Sequence, residues 1–154
     1  MTVKEQPHET TDQQSIRALI DAYARYADRR ETQRQAELFT DDAKIVIYES
    51  EPGQREPVTT IQGQQALLAA FADLKTYDVT QHVNGQHTVT LDGDQARGEV
   101  YCLAHHIWLE NGQRILMVMG IRYYDMYVRK EGQWLFAERK LIIDWTDKRP
   151  SSPS

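Results

Sequence analysis

Asp28, His82, His106, Tyr23, Tyr48 and Arg139 supply a carboxylate, two imidazoles, two phenols and a guanidinium. These are the groups needed to move protons on a small molecule. An unperturbed histidine titrates near pH 6.5, so His82 is a candidate general acid/base. A carboxylate such as Asp28 would fix its tautomer and stabilise the imidazolium. The six residues are scattered along the chain, so the chemistry depends on the elements that bring them together.

The spacing predicts a helix over Asp12–Arg30, with Ile16, Leu19, Ile20, Tyr23 and Ala27 on one apolar face and Thr11 or Asp12 as N-cap. A short helix follows at 32–39, a strand at 43–49, a loop at 52–57, a short strand at 58–61 and a third helix at 63–74. Four long strands are expected at 78–91, 95–110, 114–129 and 133–145. The breaks between them are Asp92-Gly93-Asp94, Asn111-Gly112 and Glu131-Gly132, which are hairpin-turn sequences. Three helices before a long antiparallel meander give an α+β fold, with helices packed on one face of a curved sheet. Residues 1–11 read as a flexible leader, 12–146 as a single domain and 147–154 as a flexible tail.

Bulk properties narrow the function. At 154 residues the chain can bury one core. A net charge of −5 argues against nucleic acid and acidic membranes. No apolar run approaches the roughly 20 residues needed to span a bilayer. Cys102 is the one cysteine, so no internal disulfide forms and a cytoplasmic location is expected. Phosphate loops, dinucleotide fingerprints and a serine nucleophile elbow are absent from the sequence. A metal site is not expected, because His82 and His87 lie about 17 Å apart along one strand.

The segments Tyr23-Ala-Arg-Tyr-Ala-Asp28-Arg-Arg, Phe39-Thr-Asp-Asp-Ala43, Gln81-His82-Val-Asn-Gly85 and Asp125-Met-Tyr-Val-Arg-Lys-Glu-Gly-Gln-Trp134 resemble, in order and spacing, the nuclear transport factor two-like superfamily. Within it they are similar to the SnoaL-like group, which includes scytalone dehydratase, bile acid 7-alpha-dehydratase and hexachlorocyclohexane dehydrochlorinase. The similarity runs from about Ser15 to Trp145. It implies a cone-shaped sheet closed by helices around a pocket, and cofactor-free chemistry. It also implies that Asp28 orients His82, that His106 matches a second active-site histidine, that Tyr48 matches a strand tyrosine, and that an arginine lies near Arg139.

The residues themselves leave several points open. Asp28 is either a solvated helix-end carboxylate or a functional one; the helix dipole disfavours it there, which calls for another partner. Strict alternation places His82 on a polar face with Asn84 and Gln86, so its entry into the pocket requires a bulge at Asn84-Gly85. His105 and His106 point to opposite faces; His106 is preferred because it shares its face with Cys102, Ala104 and Trp108. Arg139 either pairs with Asp28, Glu99 or Glu138, or meets a substrate anion. Tyr23, Cys102, Ala104, Trp108, Met117, Met119, Ile121 and Tyr123 are the expected pocket wall, with Cys102 an inert thiol. Trp134 and Trp145 are expected in core or wall.

These expectations point to a dehydratase-like lyase acting on a hydrophobic cyclic, polyketide- or steroid-like molecule. An isomerase or polyketide cyclase using the same pair is the alternative, as is a non-catalytic binding or dimerisation module. Tyr101, Leu103, Ile107, Leu109, Tyr124 and Met126 on the outer sheet face predict a homo-oligomer, dimer or trimer.

Overall fold

The computed structural model describes residues 7–152, and side chains from residue 11 onward. Helix α1 spans Pro7–Asp28 and α2 Thr32–Ala36. Strands β1 (Phe39–Tyr48) and β2 (Thr59–Gln62) precede helix α3 (Gln64–Ala72), which ends in a 3₁₀ turn at Asp73–Thr76. Strands β3 (Val79–Asp92), β4 (Gln95–Glu110), β5 (Gln113–Lys130) and β6 (Gln133–Pro150) complete the chain. They form one six-stranded sheet in the order β2-β1-β6-β5-β4-β3. Only β1 and β6 run parallel, and the meander is antiparallel as expected. The result is a mixed α+β architecture with a curved, unclosed sheet. α1 lies along the inner face of β3 and contributes Ile16, Leu19, Ile20 and Tyr23 to a core shared with Phe39, Phe71, Val100, Tyr127 and Phe136.

The meander turns match their sequences. Asn111-Gly112 and Glu131-Gly132 each place two successive residues at positive φ (52° and 77°, 51° and 78°), the geometry of a type I′ hairpin. Its twist matches that of the flanking strands.

Two boundaries differ from expectation. The helix already includes Pro7–Thr11, so part of the predicted leader is helical. Residues 1–6 lie outside the described residues. Asp12 is consequently no cap. It accepts hydrogen bonds from Arg129 at 2.7 Å and Trp134 Nε1 at 3.1 Å, tying α1 to the β5–β6 hairpin. At the other end, β6 runs on through residues 147–150 of the predicted tail. Its backbone pairs with Ile115–Val118, which would otherwise lack a partner on that side.

Three irregularities bend the sheet. Between Asn84 and His87 on β3 the register with β4 shifts by one residue. On β6, Ala137 is extra between Phe136 and Glu138, and Asp144 is extra between Ile143 and Trp145. Each reverses the side-chain alternation beyond it. The Asp144 bulge corrects the expectation for Trp145, which turns to the outer face and is 49% exposed. Its indole lies flat on Gly120, where an added Cβ would sit 2.1 Å from Nε1, so any larger residue there displaces the ring. Val83, Tyr101, Leu103, Leu109 and Met126 are also exposed on the sheet. Tyr124 is held instead by Glu51 from the loop that folds back over β5.

Candidate functional site

α1 ends in a Schellman closure. Glu31 N–H donates to Tyr26 O, Arg30 N–H to Ala27 O, and Arg30 takes the left-handed conformation at φ 59°. The Arg30 guanidinium then reaches β3, donating to Thr80 Oγ1 at 2.6 Å and Tyr77 O at 3.2 Å. Arginine has no acceptor, so the Thr80 hydroxyl directs its own proton onward, to Asp28 Oδ1 at 3.1 Å. Further up the helix Arg17 donates to Gly85 O at 2.9 Å and Asn84 donates to Asp21 at 3.0 Å. These contacts clamp the β3 bulge onto α1. The bulge places His82 opposite Ala104 on the inner face.

Asp28 and His82 meet there. Nδ1 of His82 lies 2.6 Å from Asp28 Oδ1, and the His82 backbone N–H donates to Oδ2 at 3.0 Å. Burial alone would raise the Asp28 pKa, but the bonds from His82 and Thr80 outweigh it and hold the carboxyl below its usual value. A carboxylate can only accept, so Nδ1 carries the proton in the neutral ring and Nε2 keeps its lone pair.

His82 forms part of the wall of a cavity of about 270 Å³ between the sheet and the helices. Of the expected wall residues, Tyr23, Ala104, Met119, Ile121 and Tyr123 line it, together with His106. His106 is 6% exposed, with its ring 6.1 Å from that of His82. Burial pushes its pKa down, against the Met117 carbonyl 3.3 Å from Nδ1. That carbonyl fixes the proton on Nδ1 and leaves Nε2 as an acceptor. His105 faces the other way, its Nδ1 3.0 Å from Gln81 O.

Other expected site residues lie elsewhere. Tyr48 is not in the wall: Ile45 and Ile47 of β1 point into the cavity, and alternation sends Tyr48 to the opposite face. Arg139 is 1% exposed and bound to Asp125, with Nε 2.8 Å from Oδ1 and one terminal nitrogen 3.0 Å from Oδ2. Its guanidinium is stacked 3.6 Å from the Tyr123 ring centroid and 4.5 Å from that of Tyr23. It is outside the cavity wall, and none of the partners expected for it is the actual one. Cys102 is buried on the inner face but does not line the cavity, and burial pushes its thiol up to about 11. Trp108 and Met117 lie further along β4 and β5; the Trp108 ring meets Tyr77 edge-to-face, with centroids 5.5 Å apart. Sequence reasoning missed Thr80, Arg30 and Gln35, the last a wall residue from α2. Among the described residues no three His, Cys, Asp or Glu side chains are grouped as metal ligands would be.

The buried histidines predict an acid-sensitive fold. Burial depresses the pKa of His87 as well as that of His106. Below about pH 6.5 the unfolded chain therefore binds protons that the folded one refuses, and stability falls as pH drops through that window. Urea midpoints should be lower at pH 5.5 than at 7.5, and His87→Gln should reduce the difference. An undiminished difference in the variant would remove His87 from this account.

Residues 8–140 match the family model described as SnoaL-like domain. An uncharacterised protein of Mycobacterium tuberculosis is 27% identical over 133 residues, covering 85% of this chain and 84% of its own. Among solved structures, a scytalone dehydratase-like protein of Novosphingobium aromaticivorans superposes with a TM-score of 0.77 at 21% identity, covering 90% of this chain and 87% of that one. A hexachlorocyclohexane dehydrochlorinase of Novosphingobium barchaimii gives 0.72 at 19% identity, with 93% and 92% covered.

Proposed function

This chain belongs to the SnoaL-like domain family, and from that premise we propose that it is a cofactor-independent lyase of the dehydratase type, acting on a hydrophobic cyclic molecule. One observation carries the reading: a histidine held by a carboxylate at 2.6 Å forms part of the wall of a largely apolar cavity. Elimination is the reaction named for two of the structural neighbours.

Nε2 of His82 removes a proton from the carbon next to a carbonyl. The C–H electron pair forms the enolate, whose oxygen takes a hydrogen bond from Tyr23 or Tyr123. Burial raises both phenol pKa values and keeps them as O–H donors. As the enolate collapses, the C–O bond to the β-hydroxyl breaks. The leaving oxygen takes the proton back from the His82 imidazolium, which yields water, an enone and neutral His82. His106, held neutral, is a poor acid. Its Nε2 instead accepts the hydroxyl's own proton in a hydrogen bond and orients the group for departure.

The same arrangement supports a second reading, an isomerase or polyketide cyclase, in which His82 shuttles the proton between carbons and neutral His106 only orients the substrate. Incubating the protein with cyclic β-hydroxy ketones and following enone absorbance separates the two. Enone formation supports the lyase; inert ketols with isomerised β,γ-enones support the second; inertness in both assays favours a non-catalytic binding module.

The exposed Val83, Tyr101, Leu103 and Trp145 form a continuous apolar strip with a hollow between them. A second copy of the chain is the occupant we assign to it, which makes the protein a homo-oligomer. Light scattering at micromolar concentration should give a multiple of 17.9 kDa; a monomer mass would count against it.

A further inference from the structure

We propose that Gln35 is a second polar anchor in the cavity, selecting ligands that carry a hydroxyl away from the carbon facing His82. The inference rests on the reading above only in taking this cavity as the ligand site.

Gln35 is 1% exposed, and its Oε1 has no hydrogen-bond partner among the described residues. A buried carboxamide oxygen left unpaired is destabilising, and an apolar side chain would be the stable choice at such a position. Its surroundings are apolar: Ala27, Ile45, Ile61, Phe71 and Leu74 share the wall with it. The backbone that carries it is firmly placed. Gln35 N–H donates to Glu31 O at 3.0 Å, and its own carbonyl accepts from Leu38 N–H at 3.2 Å. Just beyond, the Gln64 side chain from α3 bonds the carbonyls of Ala36 and Phe39, both at 3.0 Å, fixing the end of α2. An acceptor with no partner, carried on a fixed helix end in the cavity wall, is what recognition of a ligand O–H requires.

Gln35 comes from α2, whereas His82 and His106 come from β3 and β4. It therefore addresses a different part of a bound molecule. An apolar cavity of about 150 Å³ takes benzene, so 270 Å³ accommodates a two-ring skeleton. The ligand class is then a two-ring compound with one oxygen at the histidines and a hydroxyl at Gln35.

Calorimetric titration with 2-naphthol, 2,6- and 2,7-naphthalenediol and their monomethyl ethers tests this without needing turnover. The better diol should bind about tenfold more tightly than 2-naphthol and than its own ether, which cannot donate at that end. In Gln35→Met, which keeps length and volume, that preference should shrink to about twofold or less while 2-naphthol affinity holds. A preference that survives in the variant, or is absent from the wild type, overturns the proposal. So does a crystal of the wild type with diol bound and no ligand oxygen within about 3.5 Å of the Gln35 carboxamide, whatever the variant does. Loss of elimination activity with the diol preference intact would sink the lyase reading alone, and the converse would sink this one alone.

Discussion

Asp28→Asn should lower the kcat of elimination by about 10³-fold with the fold intact. The reason lies in the tautomer. Wild-type Asp28 accepts from His82 Nδ1–H, His82 N–H and Thr80 Oγ1. An asparagine can keep its oxygen for the His82 backbone N–H and turn its N–H₂ toward the ring, in the place of the Oδ1 that serves both Nδ1 and Thr80. Nδ1 then becomes the acceptor, the ring proton moves to Nε2, and no base faces the cavity. The imidazolium formed during turnover also loses its counter-charge. His82→Gln should cost at least as much, because it removes base and acid together. Combining the two should cost little more than either alone, since both act on one proton transfer. Binding of 2-naphthol should change by less than about threefold in Asp28→Asn, because Asp28 is not among the residues lining the cavity. Full turnover in Asp28→Asn would remove the pair from the chemistry; lost turnover together with lost naphthol binding would point to structural collapse.

The elements that position this pair were largely legible in the chain. Ile16, Leu19, Ile20 and Tyr23 announce α1, and Asn111-Gly112 and Glu131-Gly132 announce their hairpins, because helix and turn preferences are local. The inward face of each strand was not legible in the same way. A bulge adds one residue and leaves no reliable mark: simple alternation would put Leu135 and Ala137 on the Arg139 face, where Trp134 and Phe136 are the buried residues. At β3 the bulge is expected mainly because the resemblance requires His82 to face inward, with Gly85 permitting it. Tyr48 shows the opposite hazard, since alternation with Ile45 and Ile47 would have excluded it. Gln35 was invisible because a glutamine within Thr32-Gln-Arg-Gln-Ala36 reads as a solvated helix face. Only the closure of α3 and the sheet around it makes it a buried one.

Arg139 shows how the same ambiguity resolves, and it carries the largest expected effect on stability. Arg139→Met should destabilise the fold by about 3–5 kcal/mol, and Asp125→Leu by a similar amount. Both side chains are essentially fully buried, at 1% and 0% exposure. Burial opposes the Arg139 charge, but Asp125 more than offsets it, so the guanidinium stays protonated. Removing Arg139 strands a carboxylate whose one other side-chain donor among the described residues is Tyr127 Oη at 2.8 Å. Removing Asp125 strands a cation held against the faces of Tyr23, Tyr123 and Phe136. The double variant Asp125→Leu/Arg139→Met should recover most of either loss, because neither charge is then left uncompensated. Urea unfolding of the four proteins gives the coupling directly. A substrate-binding arginine behaves differently: Arg139→Met would keep its urea midpoint and raise KM, and the double variant would rescue nothing. That outcome would return Arg139 to the chemistry. Stability loss rescued by the second substitution would place its charge in the service of the core, where it braces the two tyrosines that form the cavity's inner wall.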